Sequence, residues 1–365
     1  PIFPHAKFAS RPGPLMSASD EIHVTVAGSG TIDVFCSHCR VVNQVVAEVD
    51  VANRIGAVIF AAPDIDMDVF SSSIKRIGPL AGKITVIAAT NDRALVLSGQ
   101  LAGGMTRVGA AGVVHVAGYK FAGESVREPL HTYRVNVRGT LGVLEAMERA
   151  EVPAIVFSSS AAVYGTPDVE RVTEATATAP ESPYGESKLI GEWLLADQGR
   201  ATGLRHTSLR YFNVVGSADP ALSDTSPHNL FPLVFRALDR GERPRLFGTD
   251  HPTPDGTCVR DYVHVADVAR AHVTAARALA KGRALAPVYN LGSGAGTSVR
   301  QIMEAVGRVT GRDVDPVVEP RRPGDPARIV ADGSLAARDL GWENRHTVED
   351  MVRSAWEARR PPETR

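Results

Sequence analysis

Cysteine is scarce in this sequence, with three residues in a chain of 365. Three thiols cannot build the disulfide framework of a small secreted domain, so the sequence favours a reducing compartment, and we expect a cytoplasmic protein. Cys36 and Cys39 form a C-x-x-C pair, but a zinc site needs further ligands and Cys258 is the only other thiol. We therefore interpret all three as reduced cysteines and predict no metal site.

Neither an excess of one charge nor a long apolar run is present. The 40 basic and 41 acidic side chains give a formal net charge of -1, whereas proteins that bind a phosphate backbone normally have a basic excess, so we expect no nucleic-acid partner. No apolar run approaches the ~18 residues that span a bilayer, so we expect no membrane partner. Residues 1–20 are rich in proline without a signal-peptide pattern, and we predict a disordered leader there.

Short apolar segments alternate along the chain with amphipathic ones. Residues 113–117, 155–158 and 205–211 are typical of buried strands, and residues 133–150 have helical periodicity. This alternation predicts an α/β fold with a Rossmann-like, doubly wound parallel sheet, which binds ligands beyond the carboxyl ends of its strands. After residue 215 the loops are rich in proline and glycine and the elements are shorter. We therefore predict a smaller C-terminal α/β domain over residues 216–365 that mainly binds substrate.

A tyrosine and a lysine at helical spacing form the clearest candidate for chemistry. Ser182 can cap a helix and Pro183 suits its first turn, so Tyr184 and Lys188 lie one turn apart on the same face. A free phenol has a pKa near 10, and a neighbouring ammonium favours the phenolate, which makes the tyrosine a usable base. Taken alone, such a pair also fits an exposed surface helix.

Ser160 ends the strand segment that precedes this helix. The carboxyl end of a parallel strand is where this class of sheet presents side chains to its ligand. Ser160, Tyr184 and Lys188 are therefore our candidate catalytic residues, although serines at a strand end also fit ordinary turn chemistry.

Several further motifs occur in a fixed order and carry a resemblance to a known family. They are His115-Val116-Ala117-Gly118, Gly123-Glu124-Ser125-Val126, Ser158-Ser159-Ser160, Val163-Tyr164-Gly165, Tyr211-Phe212-Asn213, Val259-Arg260-Asp261-Tyr262 and Arg321-Arg322-Pro323-Gly324-Asp325. Over residues 113–342 the chain resembles the extended short-chain dehydrogenase/reductase family, and within it the UDP-glucose 4-epimerases.

The resemblance implies that the chain interconverts UDP-glucose and UDP-galactose by NAD-mediated oxidation at the sugar C4. It implies that Tyr184 is the base on the 4-hydroxyl, that Lys188 tunes it and holds the nicotinamide ribose, and that Ser160 binds the same hydroxyl. It implies NAD contacts, besides these three, from Ala117, Gly118, Lys120, Asn136 and Phe212. It implies UDP contacts from Asn213, Asn229, Leu230, Arg245, Leu246, Phe247, Arg260, Arg322 and Asp325, and a sugar contact from Ile329. It also implies a homodimer formed through residues 133–150 and 184–198.

The chain departs from a related group, the nucleotide-sugar 4,6-dehydratases. In those enzymes the motif at the strand end is similar to Thr-Asp-Glu, and it supplies an acid and a base for elimination of water. Here Ala161 and Ala162 follow Ser160, and neither side chain can do this. The sequence therefore argues against dehydration.

The N-terminal third departs from the epimerase pattern. The family's G-x-x-G-x-x-G turn for the pyrophosphate is degenerate, because only its middle glycine, Gly30, is kept and Ala27 and Asp33 replace the outer two. We expect Gly28 and Gly30 to contact the cofactor, with Asp50 as the acidic ribose partner. Residues 51–109 resemble the C-terminal part of an α/β-hydrolase family, with Asp92 at the triad acid, but no G-x-S-x-G nucleophile motif occurs in the chain.

We therefore interpret residues 21–112 as an atypical α/β segment, fused near residues 109–112 to the remainder of an NAD-binding domain over 113–215. Two other functions stay open from the sequence. One is a nucleotide-sugar-binding protein that lacks a complete NAD site, and the other is an esterase.

Overall fold

The computed structural model describes residues 112–149, 151–220, 223–224, 226, 228–322 and 325–359. The predictions on the leader, on Gly28, Gly30 and Asp50, on the Cys36/Cys39 pair and on the hydrolase-like segment lie outside these residues. The described strands are β1 (Val113–His115), β2 (Ala154–Ser160), β3 (Arg205–Tyr211), β4 (Asn213–Val215), β5 (Arg245–Phe247), β6 (Val259–Arg260), β7 (Tyr262–His264), β8 (Val288–Leu291), β9 (Thr297–Ser298), β10 (Val317–Glu319) and β11 (Arg328–Ile329). The described α-helices are α1 (Ala122–Arg127), α2 (Pro129–Tyr133), α3 (Gly139–Arg149), α4 (Pro183–Thr202), α5 (Leu230–Asp239), α6 (Val265–Ala280), α7 (Val299–Thr310), α8 (Ser334–Leu340) and α9 (Val348–Ala358).

The main sheet has the strand order β1-β2-β3-β8, and every pairing in it is parallel. Successive side chains of a strand point to opposite faces. Ile155 and Phe157 accordingly pack in one apolar cluster with α3 and α4, while Val156 packs in another with α6 and α8. The predicted fold class, a doubly wound parallel sheet with helices on both faces, is confirmed.

The predicted bounds of the elements agree with the structure to different degrees. The strand at 205–211 has the predicted bounds, and the segment at 155–158 is extended to Ala154–Ser160. β1 is shorter than predicted and stops at His115. The helix predicted at 133–150 is divided, because a π-helical turn at Arg134–Arg138 separates α2 from α3.

The remaining described strands form small sheets of two or three strands, in the pairings β4-β7, β5-β10 and β11-β6-β9. Helices α5, α7 and α9 share one apolar cluster, which includes Phe235, Ile302 and Trp356. This is the smaller C-terminal α/β region that the sequence predicts. β8 is contributed by the same part of the chain but lies in the main sheet.

The described residues contain neither a helix suited to span a membrane nor a cluster suited to bind a metal ion. None of the helices in this part of the chain is both long and apolar enough to cross a bilayer. Within the same residues, no group of three or more His, Cys, Asp or Glu side chains is arranged to hold a metal ion. Cys258 is a free, buried thiol.

Candidate active site

The helix that carries Tyr184 and Lys188 starts where the sequence predicts. Ser182 is its N-cap and accepts a hydrogen bond from the Gly185 N–H at 3.2 Å, with Pro183 in the first turn. Tyr184 is half-buried at the start of α4, and its N–H donates to Ser125 Oγ at 3.1 Å. Lys188 follows one turn later and is buried.

Gly185 allows the first turn of this helix to approach the end of β2 closely. A Cβ atom at this position would lie 2.5 Å from the carbonyl oxygen of Ala162. Ala162 belongs to the single 3₁₀ turn (Ala161–Tyr164) that follows β2, and Ser160 caps that turn by accepting from the Ala162 N–H at 3.2 Å. The structure therefore brings the start of α4, with Tyr184, to the strand end that carries Ser160.

The Lys188 ammonium is fixed against the sheet. Its Nζ donates to the Ser158 carbonyl oxygen at 2.9 Å and lies 5.1 Å from the centre of the Phe157 ring. The β1–β2 pairing ends with His115 opposite Phe157. The ammonium thus occupies the crevice where these strands separate, which is where doubly wound folds bind their ligands.

The loop after β1 passes beside this ammonium at Gly118. The φ angle of Gly118 is +157°, and a Cβ there would lie 3.0 Å from Asn136 Oδ1 and 3.3 Å from Lys188 Nζ. Glycine at this position therefore lets the bare backbone pass next to both side chains. In the same loop Ala117 is buried, and the Lys120 ammonium lies 5.6 Å from the Phe121 ring centre.

Asn136 connects this loop to α4. Its Oδ1 accepts from the Tyr119 N–H at 2.7 Å, and its Nδ2 donates to the Tyr119 carbonyl at 3.0 Å and to Ser187 Oγ at 2.8 Å. The side chain is buried. Its polar atoms hold the loop and the helix together, so Asn136 supports the residues beside it rather than presenting its amide to a ligand.

His115 is a buried, neutral neighbour of this loop. Thr140 Oγ1 donates to the Asn136 carbonyl at 2.8 Å, so it accepts from the Nε2–H of His115 at 3.1 Å. Burial, reinforced by the Lys188 charge, lowers the pKa of His115 to about 3. Its Nδ1 is left as a buried acceptor with no hydrogen-bond partner among the described residues.

A buried ion pair, which the sequence does not predict, joins α4 to β3. Arg210 of β3 forms two hydrogen bonds with Glu192, at 2.8 and 2.5 Å, and Ser159 Oγ donates to the same carboxylate at 2.5 Å. Arg210 also donates to the Tyr164 hydroxyl at 2.7 Å. Burial opposes the charge of Arg210, but its bonds to Glu192 outweigh this and raise its pKa. Glu192 is four residues after Lys188, and this spacing was the signal available in the sequence.

The residues assigned to UDP lie on the small sheets and the loops around them. Arg260 donates to the carbonyls of Val259 and Pro326, at 3.0 and 2.6 Å, and its Nη2 lies 3.5 Å from Asp325 Oδ1. The Arg322 guanidinium lies 3.8 Å from the centre of the Phe247 ring.

The other sequence-predicted residues are distributed around these. Phe212 and Ile329 share one buried apolar cluster with Leu189, which follows Lys188. Leu246 is fully buried in β5. The remaining four are Asn213, which is exposed, Asn229, which donates to Asp224, Leu230, at the start of α5, and Arg245, which lies 3.8 Å from Glu319.

Comparison with known proteins decides the family. Residues 84–292 match the NAD dependent epimerase/dehydratase family. The chain is 43% identical over 251 residues to a UDP-glucose 4-epimerase of Corynebacterium glutamicum. The aligned region covers 68% of this chain and 76% of that protein. The chain belongs to the NAD dependent epimerase/dehydratase family.

Solved structures of the epimerase/dehydratase family agree with this fold. A UDP-glucose-4-epimerase from Stenotrophomonas maltophila with bound NAD and formylated UDP-arabinopyranose is 37% identical, with a TM-score of 0.76, and covers 87% of this chain and 94% of its own. One from Bifidobacterium longum in complex with NAD+ and UDP is 31% identical, with a TM-score of 0.74 and the same two coverages. The family match begins at residue 84, upstream of the resemblance that the motifs indicate from Val113.

The described residues fit the nicotinamide half of NAD, the cofactor of this family. The buried Lys188 ammonium is a suitable donor to ribose hydroxyls, and the missing Cβ of Gly118 leaves the space beside this ammonium unobstructed. The neutral His115 adds no second positive charge next to them. Gly28 and Gly30, assigned to the pyrophosphate side, lie outside the described residues.

Proposed function

We propose that the protein is a UDP-glucose 4-epimerase, which interconverts UDP-glucose and UDP-galactose by transient oxidation at the sugar C4. The observation that carries this proposal is the buried Lys188 ammonium, tied to the end of β2 and one helical turn from Tyr184. Relatives that are 42–45% identical to this chain have that name. Solved neighbours bind NAD with UDP or a UDP-sugar.

Tyr184 acts on the proton of the sugar 4-hydroxyl. An ammonium close to a phenol favours the phenolate, so Lys188 prepares Tyr184 to accept this proton. Ser160, at the strand end next to the start of α4, binds the same hydroxyl. Ala161 and Ala162 follow Ser160 in the 3₁₀ turn, and neither side chain offers the acid or base for the elimination reaction of a dehydratase.

NAD, when bound, supplies the hydride acceptor and donor at C4. Lys188 would hold its ribose, and Ala117, Gly118, Lys120 and Phe212 would line it. Asn136 would act indirectly, by holding the loop at Tyr119 to α4 at Ser187.

UDP is anchored by the arginines of the C-terminal region. Guanidinium groups suit phosphate oxygens because their N–H groups form a planar fork. Arg322 lies on the same loop as Asp325, and the Arg260 guanidinium lies close to the Asp325 carboxylate. This carboxylate can accept hydrogen bonds from ribose hydroxyls. A firm hold on UDP and a loose hold on the sugar are both needed, because the oxidised sugar must turn its other face toward the returning hydride while the anchor stays in place.

A direct experiment tests this function. The purified chain is incubated with UDP-galactose, formation of UDP-glucose is followed, and dinucleotide released on denaturation is assayed. We expect conversion and NAD bound in stoichiometric amount. A chain that neither releases dinucleotide nor converts UDP-galactose after NAD is added would instead be a nucleotide-sugar-binding protein.

A second copy of this chain is the expected protein partner, through helices α3 and α4. Leu141 on α3 and Trp193 on α4 are 39% and 57% exposed, and these helices lie on the same face of the main sheet. An exposed tryptophan among apolar neighbours is typical of a contact surface. Light scattering of the purified protein should give a dimer mass, and Trp193→Glu should reduce it to a monomer; a native monomer would contradict this.

We also assign the protein to the cytoplasm, without a nucleic-acid partner. The balance of 40 basic and 41 acidic side chains and the content of three cysteines support this assignment. Cell fractionation, and binding assays with duplex DNA at low salt, test its two parts.

A further inference from the structure

Ser158 lies at the point where β2 loses one of its neighbouring strands. The β1–β2 pairing stops at Phe157, whereas the β2–β3 pairing continues with Ser158 opposite Leu209. On the side that β1 has left, the Ser158 carbonyl accepts from Lys188 Nζ at 2.9 Å. The position of the ammonium therefore depends on how firmly this residue of the strand is held.

His272 holds the side chain of Ser158 from the opposite face of the sheet. Ser158 has the same orientation as Val156, toward α6, and its Oγ lies 2.7 Å from His272 Nε2. His272 Nδ1 lies 2.9 Å from the Val268 carbonyl, which can only accept, so Nδ1 carries the proton. Nε2 is therefore the acceptor, and the Ser158 hydroxyl donates to it. Both side chains are fully buried.

We propose that His272 is a positioning residue for the Lys188–Tyr184 pair, acting through Ser158. The hydrogen bond from the Ser158 hydroxyl replaces the support that β1 no longer gives, and so fixes the carbonyl that locates the ammonium. α6 directly follows β7, and β6 with Arg260 comes just before it. One continuous segment thus runs from Arg260 to His272, which supports the strand residue that holds Lys188. This inference rests on the proposed function, because it takes Tyr184 as the base.

Among the described residues, the other titratable groups around this pair have partners of their own. Burial lowers the pKa of His272 to about 4 and that of His115 to about 3, so both imidazoles are neutral near pH 7. The remaining groups come from the loop after β1, α1, α2, β3, the 3₁₀ turn and α4 itself: Lys120 beside the Phe121 ring, Glu124 bonded to Tyr119 and His228, Tyr133 bonded to Glu186, Arg210 bonded to Glu192 and Tyr164, and Tyr211, whose ring lies 6.0 Å from that of His272. A shift in the ionisation of Tyr184 on changing His272 would therefore report the position of Lys188.

The test compares His272→Leu, His272→Gln and Ser158→Ala in the full chain. Leucine removes the acceptor, whereas the Oε1 of glutamine can take the place of Nε2. Thr207→Val is the matched control, because Thr207 on β3 is also fully buried and loses one hydrogen bond, to the Ala286 carbonyl at 2.8 Å, away from Lys188. Two quantities are measured: the pH profile of kcat, and the ionisation of Tyr184 by phenolate absorbance without substrate, taken as the difference from the matching Tyr184→Phe protein.

We expect the acid limb of kcat and the Tyr184 titration to move up by about one pH unit in His272→Leu and Ser158→Ala, since a displaced ammonium stabilises the phenolate less. KM should stay within about threefold, because the UDP anchor is untouched. His272→Gln should restore most of both values, and Thr207→Val should shift neither.

Unshifted curves in His272→Leu and Ser158→Ala, or an equal shift in Thr207→Val, would overturn the positioning role. If His272→Leu fails to fold, Ser158→Ala decides alone, because it removes only a hydroxyl. A parent chain without epimerase activity would sink the proposed function, whereas the substrate-free titration would still decide the role of His272.

Discussion

The end of the main sheet and the loops that we propose to bind UDP hold their charged groups in different ways. Lys188, Glu192 and Arg210 are buried, and hydrogen bonds at fixed distances hold each of them. Arg322 is exposed and stacks on the Phe247 ring, and Arg260, although only 12% exposed, is held by the Val259 and Pro326 carbonyls and has Asp325 as its nearest carboxylate, at 3.5 Å. A proton transfer needs a fixed geometry, so its groups are locked before substrate arrives. An anchor for a diphosphate can instead exchange loop contacts for phosphate oxygens.

The largest effect should come from the buried side of this comparison. Tyr184→Phe should lower kcat by about 10³-fold, because it removes the general base, while UDP affinity stays within about twofold. Kinetics with UDP-galactose and calorimetry with UDP measure the two values. Tyr133→Phe, which loses a hydroxyl bonded to Glu186, is the control and should retain activity. Comparable kcat in Tyr184→Phe would remove Tyr184 from the base role.

The second-largest effect should be the loss of protein stability when the buried ion pair between Arg210 and Glu192 is broken. Arg210→Met should lower the free energy of unfolding by about 3–5 kcal/mol, because it leaves the Glu192 carboxylate buried without its cation. Arg308→Ala, which removes an exposed pair with Glu349, should cost less than about 1 kcal/mol. Urea unfolding measures both. Equal losses of unfolding free energy in the two variants would contradict the expectation that the buried pair contributes more to stability than the exposed pair.

A smaller effect is expected from the anchor. Arg260→Ala should raise KM for UDP-galactose about 10- to 100-fold, the value of one or two charge-assisted hydrogen bonds, with kcat little changed. Arg243→Ala removes an exposed guanidinium paired with Asp315 and should leave KM unchanged. If KM in Arg260→Ala matches the parent value, the phosphate contact is assigned to the wrong arginine.

The pH dependence of protein stability should come from the buried histidines at the main sheet, His115 and His272. Burial lowers the pKa of His115 to about 3 and of His272 to about 4, from 6.5. The unfolded chain therefore binds more protons below pH 6.5, so these histidines contribute stability above that pH, and it is lost as the pH falls toward their folded values. Each contributes a slope of up to about 1.4 kcal/mol per pH unit.

The variant His272→Gln tests the contribution of His272 to the pH dependence of stability. The free energy of unfolding should fall less steeply between about pH 6.5 and 5 in the variant than in the parent chain. Equal slopes in the two proteins would contradict it.

The sequence predicts the parallel sheet and the start of α4 because both depend on local signals. Apolar runs mark β2 and β3, and a capping serine followed by proline marks the helix at Ser182. The structure places Tyr184 and Ser160 on neighbouring elements through the close contact at Gly185, which no local pattern shows. The assignments of individual ligand contacts remain predictions.

What the sequence does not predict depends on contacts between distant segments. Ser158 and Ser159 are adjacent and identical in type, yet one bonds to His272 and the other to Glu192, on opposite faces of the sheet. His272 is 114 residues from its serine along the chain. A histidine in a helix of apolar residues gives no sign of such a partner until the helix is packed against the sheet.

The π-helical turn at Arg134–Arg138 constrains how the chain length can vary at this point. A π turn holds one residue more than an α turn, and Asn136, which ties the Gly118 loop to α4, lies in its middle. Removing a single residue there would let the turn close as a regular α-helix, which changes the direction of the Asn136 side chain and takes it away from both of its partners. Deletions by one codon should therefore be selected against in this turn and tolerated in exposed loops.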